Sequence, residues 1–298
     1  VHVLKGLGAE VEIRYYPNEP ARECSLLREV SFGPASGPEE RAQALKLVET
    51  WHYRGRRPPF KRVFVAKRAG RVIGVVLLSP PYVSCWGRKL FFSKVPSLSE
   101  LNRWLYTASR VVVHPAYRGI GLGAKLLREA LLASDRPYVE LVAVMARYNP
   151  FAERAGMVKV GEKEPDPAVE AAVAELERLG LDSRLLASER YNLRVLSALP
   201  GEELTEVREA LRPLRNLGLA KALPGVRSAY PKPEEWEEAL NRAGPAELAR
   251  LLAVLASLRA KKAYLIWRKP SLPFGSCPLD ELVRPEWRDV LFGGCRAP

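Results

Sequence analysis

The sequence predicts an α/β protein in which helices flank a sheet and a helical insertion precedes the last strand. Three observations predict this fold class. Short β-rich runs fill the first half of the chain, a glycine-rich turn joins one of them to an amphipathic helix, and about a hundred mainly helical residues separate the last two strands. With 298 residues, the chain has room for about two domains, or for one with a large insertion.

The strands are predicted from runs of β-branched and aromatic residues. Two such runs on either side of the turn at 68–71 predict a hairpin. The run at 138–145 is apolar almost throughout and predicts a central, buried strand. The predicted strands are 11–16, 62–67, 72–79, 110–113, 138–145, 157–160 and 263–268. We expect a loop at 31–38 and a short helical or irregular link at 97–106.

Helices are predicted where apolar residues recur every three or four positions. The predicted helices are 39–53, 122–132, 149–155, 166–179, 202–217, 232–242 and 245–261. The Pro- and Gly-rich tail from residue 270 is expected only to wrap the surface. These elements divide the chain into a core at 1–160, a helical insertion at 161–261, and a last strand of the core with the tail at 262–298.

Composition excludes several classes of protein. No run approaches the roughly 18 apolar residues of a membrane span, and the N-terminus lacks a signal-peptide pattern, so we expect a soluble cytoplasmic protein with no membrane partner. Four Cys without a C-x-x-C pair, and only three His, argue against a metal site. Scarce Gln and Met favour a heat-adapted source, although GC-rich coding gives the same bias. The initial Val leaves open a literally translated start codon or a piece of a longer protein.

The net charge of +13 is unevenly distributed. Between Thr50 and Ser99 there are eleven Lys and Arg but no Asp or Glu. A stretch of this kind favours an anionic partner.

The strand, turn and helix at 110–132 are the most informative part of the chain. Gly119, Gly121 and Gly123 leave backbone N–H groups uncovered where the helix begins, and the helix N-terminus adds partial positive charge. Arg118 can add a charge-assisted contact. The turn therefore predicts a site for an anion such as a diphosphate.

The same glycines fit the dinucleotide fingerprint G-x-G-x-x-[GA], but two features argue against it. The fingerprint turn follows its strand at once, whereas residues 114–118 intervene here. The ribose-binding acid lies near the end of the second strand, whereas Glu140 lies near the start of one.

The motif Arg118-x-x-Gly121-x-Gly123 resembles the signature of the GNAT superfamily of acetyl-CoA-dependent N-acetyltransferases. The preceding Val-Val-Val-His-Pro and the later motif Asn149-Pro-Phe-Ala-Glu-Arg-Ala-Gly-Met157 are also similar to that family. The resemblance covers residues 63–160. More weakly, Trp51-His-Tyr53 and the segment 109–115 resemble acetyltransferase domains fused to archaeal ABC-type ATPases. Because the chain has no G-x-x-x-x-G-K-[ST], such an ATPase would be a partner located elsewhere.

The resemblance implies a GNAT fold with a mixed, twisted sheet flanked by helices. It also implies acetyl-CoA as the acetyl donor and direct attack by an amine. The strand at 110–113 would splay from the strand at 138–145 to admit the pantetheine, and the last strand would pair beside 157–160. The implied cofactor-binding residues are Val111, Val112, Val113, Arg118, Gly119, Ile120, Gly121, Leu122, Gly123, Ala124 and Asn149.

At the catalytic positions the sequence departs from the family pattern. Many relatives use a Tyr, four residues before the Gly of the later motif, to protonate the leaving thiolate. Ala152 holds that position here, so Tyr148 is the candidate substitute. Many relatives also carry a Glu on the fourth strand as the base, where this chain has only Ser109 and Arg110.

A base is expected because an alkyl amine with a pKa near 10.4 is neutral in about one molecule in 2,500 at pH 7, a cost of about 4.6 kcal/mol. Glu140 is the best candidate, since an acid in an apolar strand is costly unless it is used or paired. The alternative is that water reaches it near the start of the strand. His52 is a further candidate on the acceptor side.

The acceptor is predicted from charge. The segment 54–71 has eight Lys and Arg interleaved with Phe60 and Phe64. We expect an RNA acceptor such as a tRNA nucleotide, contacted by Tyr53, Arg54, Arg56 and Arg57. A protein amine, a small polyamine, and a non-catalytic module that binds acetyl-CoA or RNA remain alternatives.

Overall fold

A computed structural model describes residues 2–4, 11–13, 25–52, 57–144, 149–228 and 230–292. The strands within these residues are β1 His2–Leu4, β2 Val11–Ile13, β3 Ser31–Pro34, β4 Arg62–Arg68, β5 Arg71–Ser79, β6 Leu105–Val113, β7 Tyr138–Ala143, β8 Val158–Lys163 and β9 Lys262–Arg268. Seven of them form one sheet in the order β3-β4-β5-β6-β7-β9-β8, and β1 pairs with β2. Because β4, β5 and β6 pair antiparallel while β6 and β7 pair parallel, the sheet is mixed, as predicted.

Helices flank this sheet, which confirms the predicted fold class. They are α1 Pro38–Trp51, α2 Arg88–Phe91, α3 Leu98–Trp104, α4 Leu122–Leu132, α5 Phe151–Arg154, α6 Pro167–Arg178, α7 Glu189–Leu196, α8 Gly201–Leu211, α9 Pro233–Arg242, α10 Pro245–Ala256, α11 Pro278–Leu282 and α12 Pro285–Phe292. The helix predicted at 122–132 is confirmed to the residue. The last strand is also confirmed, and its place beside β8 in the sheet is as predicted.

The chain separates into two compact units. The first comprises Val1–Leu141, Pro150–Lys159 and Leu265–Pro298, and the second comprises Val142–Asn149 and Val160–Tyr264. The second unit has its own core, in which the apolar faces of α6, α8 and α10 supply buried Leu and Val side chains. Asn192 of α7 is buried in this core and donates hydrogen bonds to the carbonyls of Leu186 and Ala249, at 2.7 and 3.1 Å.

Two segments of the first unit differ from the sequence-based expectation. The predicted loop at 31–38 contains β3, which pairs antiparallel with β4. Its Gly and Pro are compatible with a strand because β3 lies at the edge of the sheet. The predicted link at 97–106 contains α3, which begins with a capping box between Ser97 and Glu100, and then the first residues of β6.

The tail from residue 270 was expected only to wrap the surface, but its helix α11 is anchored in the first unit. Tyr138 of β7 donates a hydrogen bond to Asp280 of α11 at 2.6 Å, and Arg268 forms a bidentate ion pair with the same carboxylate at 3.0 and 2.9 Å. Tyr138 and Asp280 are fully buried and Arg268 nearly so. Burial, together with the acidic partner, raises the pKa of the Tyr138 hydroxyl, so it stays a donor. The part of the tail in and around α11 is therefore buried in the first unit.

Two helices cover opposite faces of the sheet. Val75 and Val112 pack with Ala44, Leu47 and Val48 of α1. On the other face, a Cβ on Gly74 would lie 2.8 Å from Cδ2 of Leu126 in α4. Gly74 therefore lets α4 approach the sheet closely, and this sets the position of the turn that precedes α4.

We expect Gly74→Ala to destabilise the first unit by about 1–3 kcal/mol, because the added methyl group overlaps a buried leucine in a packed core. Urea unfolding monitored by circular dichroism measures the change. Gly33→Ala is the matched control, since a Cβ there meets nothing within 4 Å. Equal stability of Gly74→Ala and Gly33→Ala would contradict this packing.

Within the described ranges, no helix has both the length and the apolar character needed to cross a membrane.

Candidate functional site

The strands β6 and β7 run together for only a short distance. Their parallel pairing joins Leu105 to Tyr138, Tyr106 to Val139 and Thr107 to Glu140. Among the described residues the pairing ends there, while β6 continues along β5 as far as Val113. Beyond Thr107, the side of β6 that faced β7 therefore offers backbone N–H and C=O groups to a ligand.

A β-bulge lies where the two strands part. Leu77 of β5 pairs with Arg110, but Leu78 pairs with Ala108, so Ser109 is the extra residue. The hydroxyl oxygens of Ser109 and Ser79 lie 2.5 Å apart, and the Arg110 side chain, which is 7% exposed, donates to the Ser109 carbonyl at 2.7 Å. The bulge thus places polar groups at the point of separation.

The glycine turn joins β6 to α4. Gly119 and Gly121 have φ angles of +84° and +85°, in the left-handed region that favours glycine. A Cβ at either position would meet nothing within 4 Å, so both backbones border open space. Gly121 is the N-cap of α4 and has no side chain to cap it, and the first N–H groups of a helix have no intrahelical acceptor. The turn therefore presents donors suited to an anionic group.

The neighbours of the turn support this arrangement. Arg118 is exposed, and its Nε donates to the carbonyl of Val113 at 3.0 Å, which holds the guanidinium beside the turn. Gly123 lies against Val113, since a Cβ there would be 3.7 Å from the Val113 side chain. Leu122 is buried, Ile120 and Ala124 are half-buried, and Val111 is half-buried while Val112 packs toward α1. The fold thus brings together the predicted cofactor-binding residues at 111–113 and 118–124.

Glu140 lies in a buried ion pair. Its carboxylate accepts two hydrogen bonds from Arg88 of α2, at 2.6 and 3.0 Å, and one from the Thr107 hydroxyl at 2.8 Å. The side chains of Glu140 and Arg88 are 0% and 1% exposed. Arg88 and Thr107 thus occupy both carboxylate oxygens, and no part of the Glu140 side chain is exposed to a substrate. The geometry favours a structural role for Glu140 over the predicted role as a base.

Cys85 lies near this pair but is a weak nucleophile. Burial, with a smaller contribution from the charge of Glu140, raises the pKa of its thiol to about 11. Because the thiolate is the reactive form, the thiol is inert near neutral pH.

The other predicted site residues are distributed as follows. His52 follows α1 as its C-cap and is half-buried. Asn149 is exposed just before α5, and Ala152, at the position of the family's acid, is fully buried. Tyr53, Arg54, Arg56 and Tyr148 lie outside the described residues.

Much of the positive charge in the acid-free stretch is paired with acids from elsewhere in the chain. Arg57 contacts Glu49 at 2.5 Å, on the exposed end of α1. The other pairs are Arg62 with Asp135, Lys67 with Glu40, Arg68 with Glu29, and Arg88 with Glu140. The local count of basic residues therefore overstates the charge available to an anionic partner.

Sequence reasoning missed Arg88 and Thr107. The lone carboxylate in an apolar strand was a signal that a partner exists. The partner could not be identified, because Arg88 is 52 residues away from Glu140 in the chain.

Comparison with known proteins bears on the same segment. Residues 59–156 match the family model described as an acetyltransferase (GNAT) domain. This segment contains β4, β5, β6, β7, the glycine turn and α4. The predicted GNAT fold is confirmed for this part of the chain. None of the curated proteins matches the sequence.

Several solved structures are similar to part of the chain. A GNAT family acetyltransferase from Elizabethkingia anophelis, with acetyl-CoA bound, is 13% identical, over 46% of this chain and 81% of that one, with a TM-score of 0.30. A GNAT family acetyltransferase from Brucella melitensis, in complex with acetyl-CoA, is 18% identical, over 43% and 82%, with a TM-score of 0.32. An acyl-CoA N-acyltransferase from Pseudomonas aeruginosa is 22% identical, over 44% and 90%, with a TM-score of 0.30.

Proposed function

We propose that this chain transfers the acetyl group of acetyl-CoA to the nitrogen of an amine, through the acetyltransferase (GNAT) domain at residues 59–156. One observation carries the proposal. The strand that parts from β7 after Thr107 continues, through residues 114–118, to an uncapped helix start with two glycines in the left-handed region. That combination provides backbone groups for an amide-containing arm and N–H donors for a diphosphate.

The residues divide into two binding roles. Arg118 and residues 119–124 would hold the diphosphate, and the backbone of Val111, Val112 and Val113 would bind the pantetheine amides. Asn149, which is exposed, would contact the distal part of the cofactor. When bound, acetyl-CoA supplies an activated acetyl thioester. The reaction proposed is direct attack by the amine, and the protonated state of Cys85 is in accord with a path that does not use this thiol as a nucleophile.

For proton transfer, Tyr148 stays the proposed acid and His52 a proposed acceptor-side residue. Glu140 is proposed as a positioning residue instead of the base. It joins β7 to β6 at the point where the strands separate, and α2 supplies the counter-charge.

For the acceptor, we propose an amine-bearing nucleotide of an RNA such as a tRNA. The support is the distribution of charge. The first unit has 30 Lys and Arg against 17 Asp and Glu, whereas the second has 17 of each. The whole excess of positive charge thus lies in the unit that carries the glycine turn, where it would attract a polyanion. An ABC-type ATPase partner stays a prediction, which co-purification of the native complex would test.

The test incubates the full chain with labelled acetyl-CoA and, separately, total RNA, a lysine-containing peptide and a polyamine. We expect label in RNA, with log affinity falling by about 0.7 to 0.9 per phosphate contacted as log salt rises. Label in the peptide or polyamine alone would replace the RNA acceptor. Cofactor binding without transfer to any acceptor would indicate a non-catalytic module, and no calorimetric heat with acetyl-CoA would overturn the function. His52→Ala and Tyr148→Phe in the same assay test those two residues.

A further inference from the structure

A second concave site lies on the α1 face of the sheet, beside His114, at the start of the segment that leads into the glycine turn. Its volume is about 420 Å³, within the range of small-molecule sites of roughly 300–1,000 Å³. The lining residue Leu47 packs between α1 and the sheet, whereas α4, which follows the glycine turn, packs on the opposite face of the sheet. The residues that line it are Gln43, Lys46, Leu47, Thr50, Trp51, Arg71 and Val72.

Trp51 presents an aromatic surface at this site. It is 46% exposed, although a tryptophan is normally well buried. Its ring meets the ring of His114 edge to face, at a centroid distance of 5.8 Å. His114 is itself fixed, because its backbone N–H donates to the Ile73 carbonyl at 2.9 Å and its ring Nδ1 accepts from the backbone N–H of Ala116 at 3.3 Å. The indole is therefore exposed but held in place.

The charges around the indole are positive. Lys46 and Arg71 are both exposed, and none of the described residues that line the site carries a carboxylate. Two acids of α1 lie within three residues of a lining residue. These are Glu40 and Glu49, and they are paired with Lys67 and Arg57. Gln43 adds polarity, since its side-chain oxygen accepts from Val72 N–H at 3.1 Å, which leaves the amide nitrogen as the donor for a ligand.

We propose that this site docks one nucleotide of a single-stranded RNA, with the base stacked on Trp51 and the flanking phosphates at Lys46 and Arg71. Exposed aromatic rings beside cations are the means by which proteins hold single strands without reading their sequence. This inference rests on the proposed function, and it specifies where the acceptor is held.

The position of the site indicates docking and not chemistry. Val72, which lines the site, lies near the start of β5, and Ser79, at the end of β5, lies where β6 and β7 separate. Seven residues of extended strand place Val72 about 23 Å from Ser79. A nucleotide on Trp51 is therefore remote from the amine that reacts. Loss of the site should raise KM for RNA while leaving kcat, and turnover of a free nucleotide, nearly unchanged.

The experiment measures the affinity of the full chain for a fluorescent 20-nucleotide single-stranded RNA by anisotropy, beside acetyl-CoA affinity by calorimetry. Trp51→Ala should weaken RNA binding by about 5- to 150-fold, and Trp51→Phe should retain most of it, because stacking survives. Lys46→Ala with Arg71→Ala should lower the salt slope by about 1.4. Arg190→Ala with Arg227→Ala, two exposed residues of the second unit, is the matched control.

Unchanged RNA affinity in folded Trp51→Ala, or an unchanged salt slope in the Lys46 and Arg71 double variant, would overturn the proposal. Weaker acetyl-CoA binding with unchanged RNA binding would assign the site to the cofactor and overturn it as well. If Trp51→Ala does not fold, the salt slope alone decides. Failure of acetyl-CoA to bind the wild-type chain would refute the proposed function separately, without altering the RNA measurement.

Discussion

Gly121→Val is expected to abolish acetyl-CoA binding while the protein keeps its fold. The φ angle of +85° is one that a β-branched residue adopts only with strain, at a cost of about 1–3 kcal/mol. A new side chain would also project into space where nothing now lies within 4 Å, over the first N–H groups of α4. Loss of two charge-assisted hydrogen bonds, at about 1.5–3 kcal/mol each, weakens binding by at least about 100-fold. Calorimetric titration measures this loss.

Gly180→Val is the control for strain alone. Gly180 lies just after α6 in the second unit, has a φ angle of +86°, and also has open space around its Cβ position. Both variants should lose similar thermal stability, but only Gly121→Val should lose the cofactor. Equal cofactor affinity in the two variants would mean that the turn does not hold the diphosphate.

The glycine turn and α4 were predictable because their determinants are local. Three glycines, an arginine and a leucine stripe lie within fifteen residues, and the apolar spacing of α4 alone specifies its bounds. The same holds for the β4–β5 hairpin, whose turn residues and flanking apolar runs are adjacent.

The first half of β6 was not predictable from pattern. Thr107, Ser109 and Arg110 interrupt the apolar alternation that identifies a strand, so the strand was expected to begin only at residue 110. These polar side chains are accommodated because each has a hydrogen-bond partner. The partners are Glu140, Ser79 and the backbone carbonyl of Ser109. Two of these partners lie on neighbouring strands and the third is a backbone carbonyl, so the pattern of residues along one strand does not reveal them.

The tail and the second unit also contain contacts that a sequence pattern does not reveal. Arg268 and Asp280 form a buried pair only because the chain returns to Tyr138, 142 residues before Asp280. A Pro- and Gly-rich composition says nothing about such a contact. In the second unit, α7 was missed because half of its eight residues are charged or polar, and because one of its two buried residues is Asn192.

Glu140→Ala is expected to destabilise the first unit by about 3–5 kcal/mol. The substitution leaves the Arg88 guanidinium buried without its counter-charge, and the cost of an unpaired buried charge is of this size. For a unit of this length, the loss corresponds to a fall in the melting temperature of about 6–20 °C by scanning calorimetry. Glu49→Ala, which removes an exposed ion pair with Arg57, is the control and should leave the melting temperature close to that of the wild type.

The double variant Glu140→Leu with Arg88→Met separates a positioning role from a catalytic one. Replacement of a whole buried pair by apolar residues is often neutral for stability, so this variant should regain most of what Glu140→Ala loses. If Glu140 only holds β7 against β6, acetyl transfer should recover together with stability, and the pH profile of kcat should keep its shape. If the double variant is stable but turns over far more slowly, and its residual kcat no longer depends on an ionised base, Glu140 is restored as the group that takes the proton.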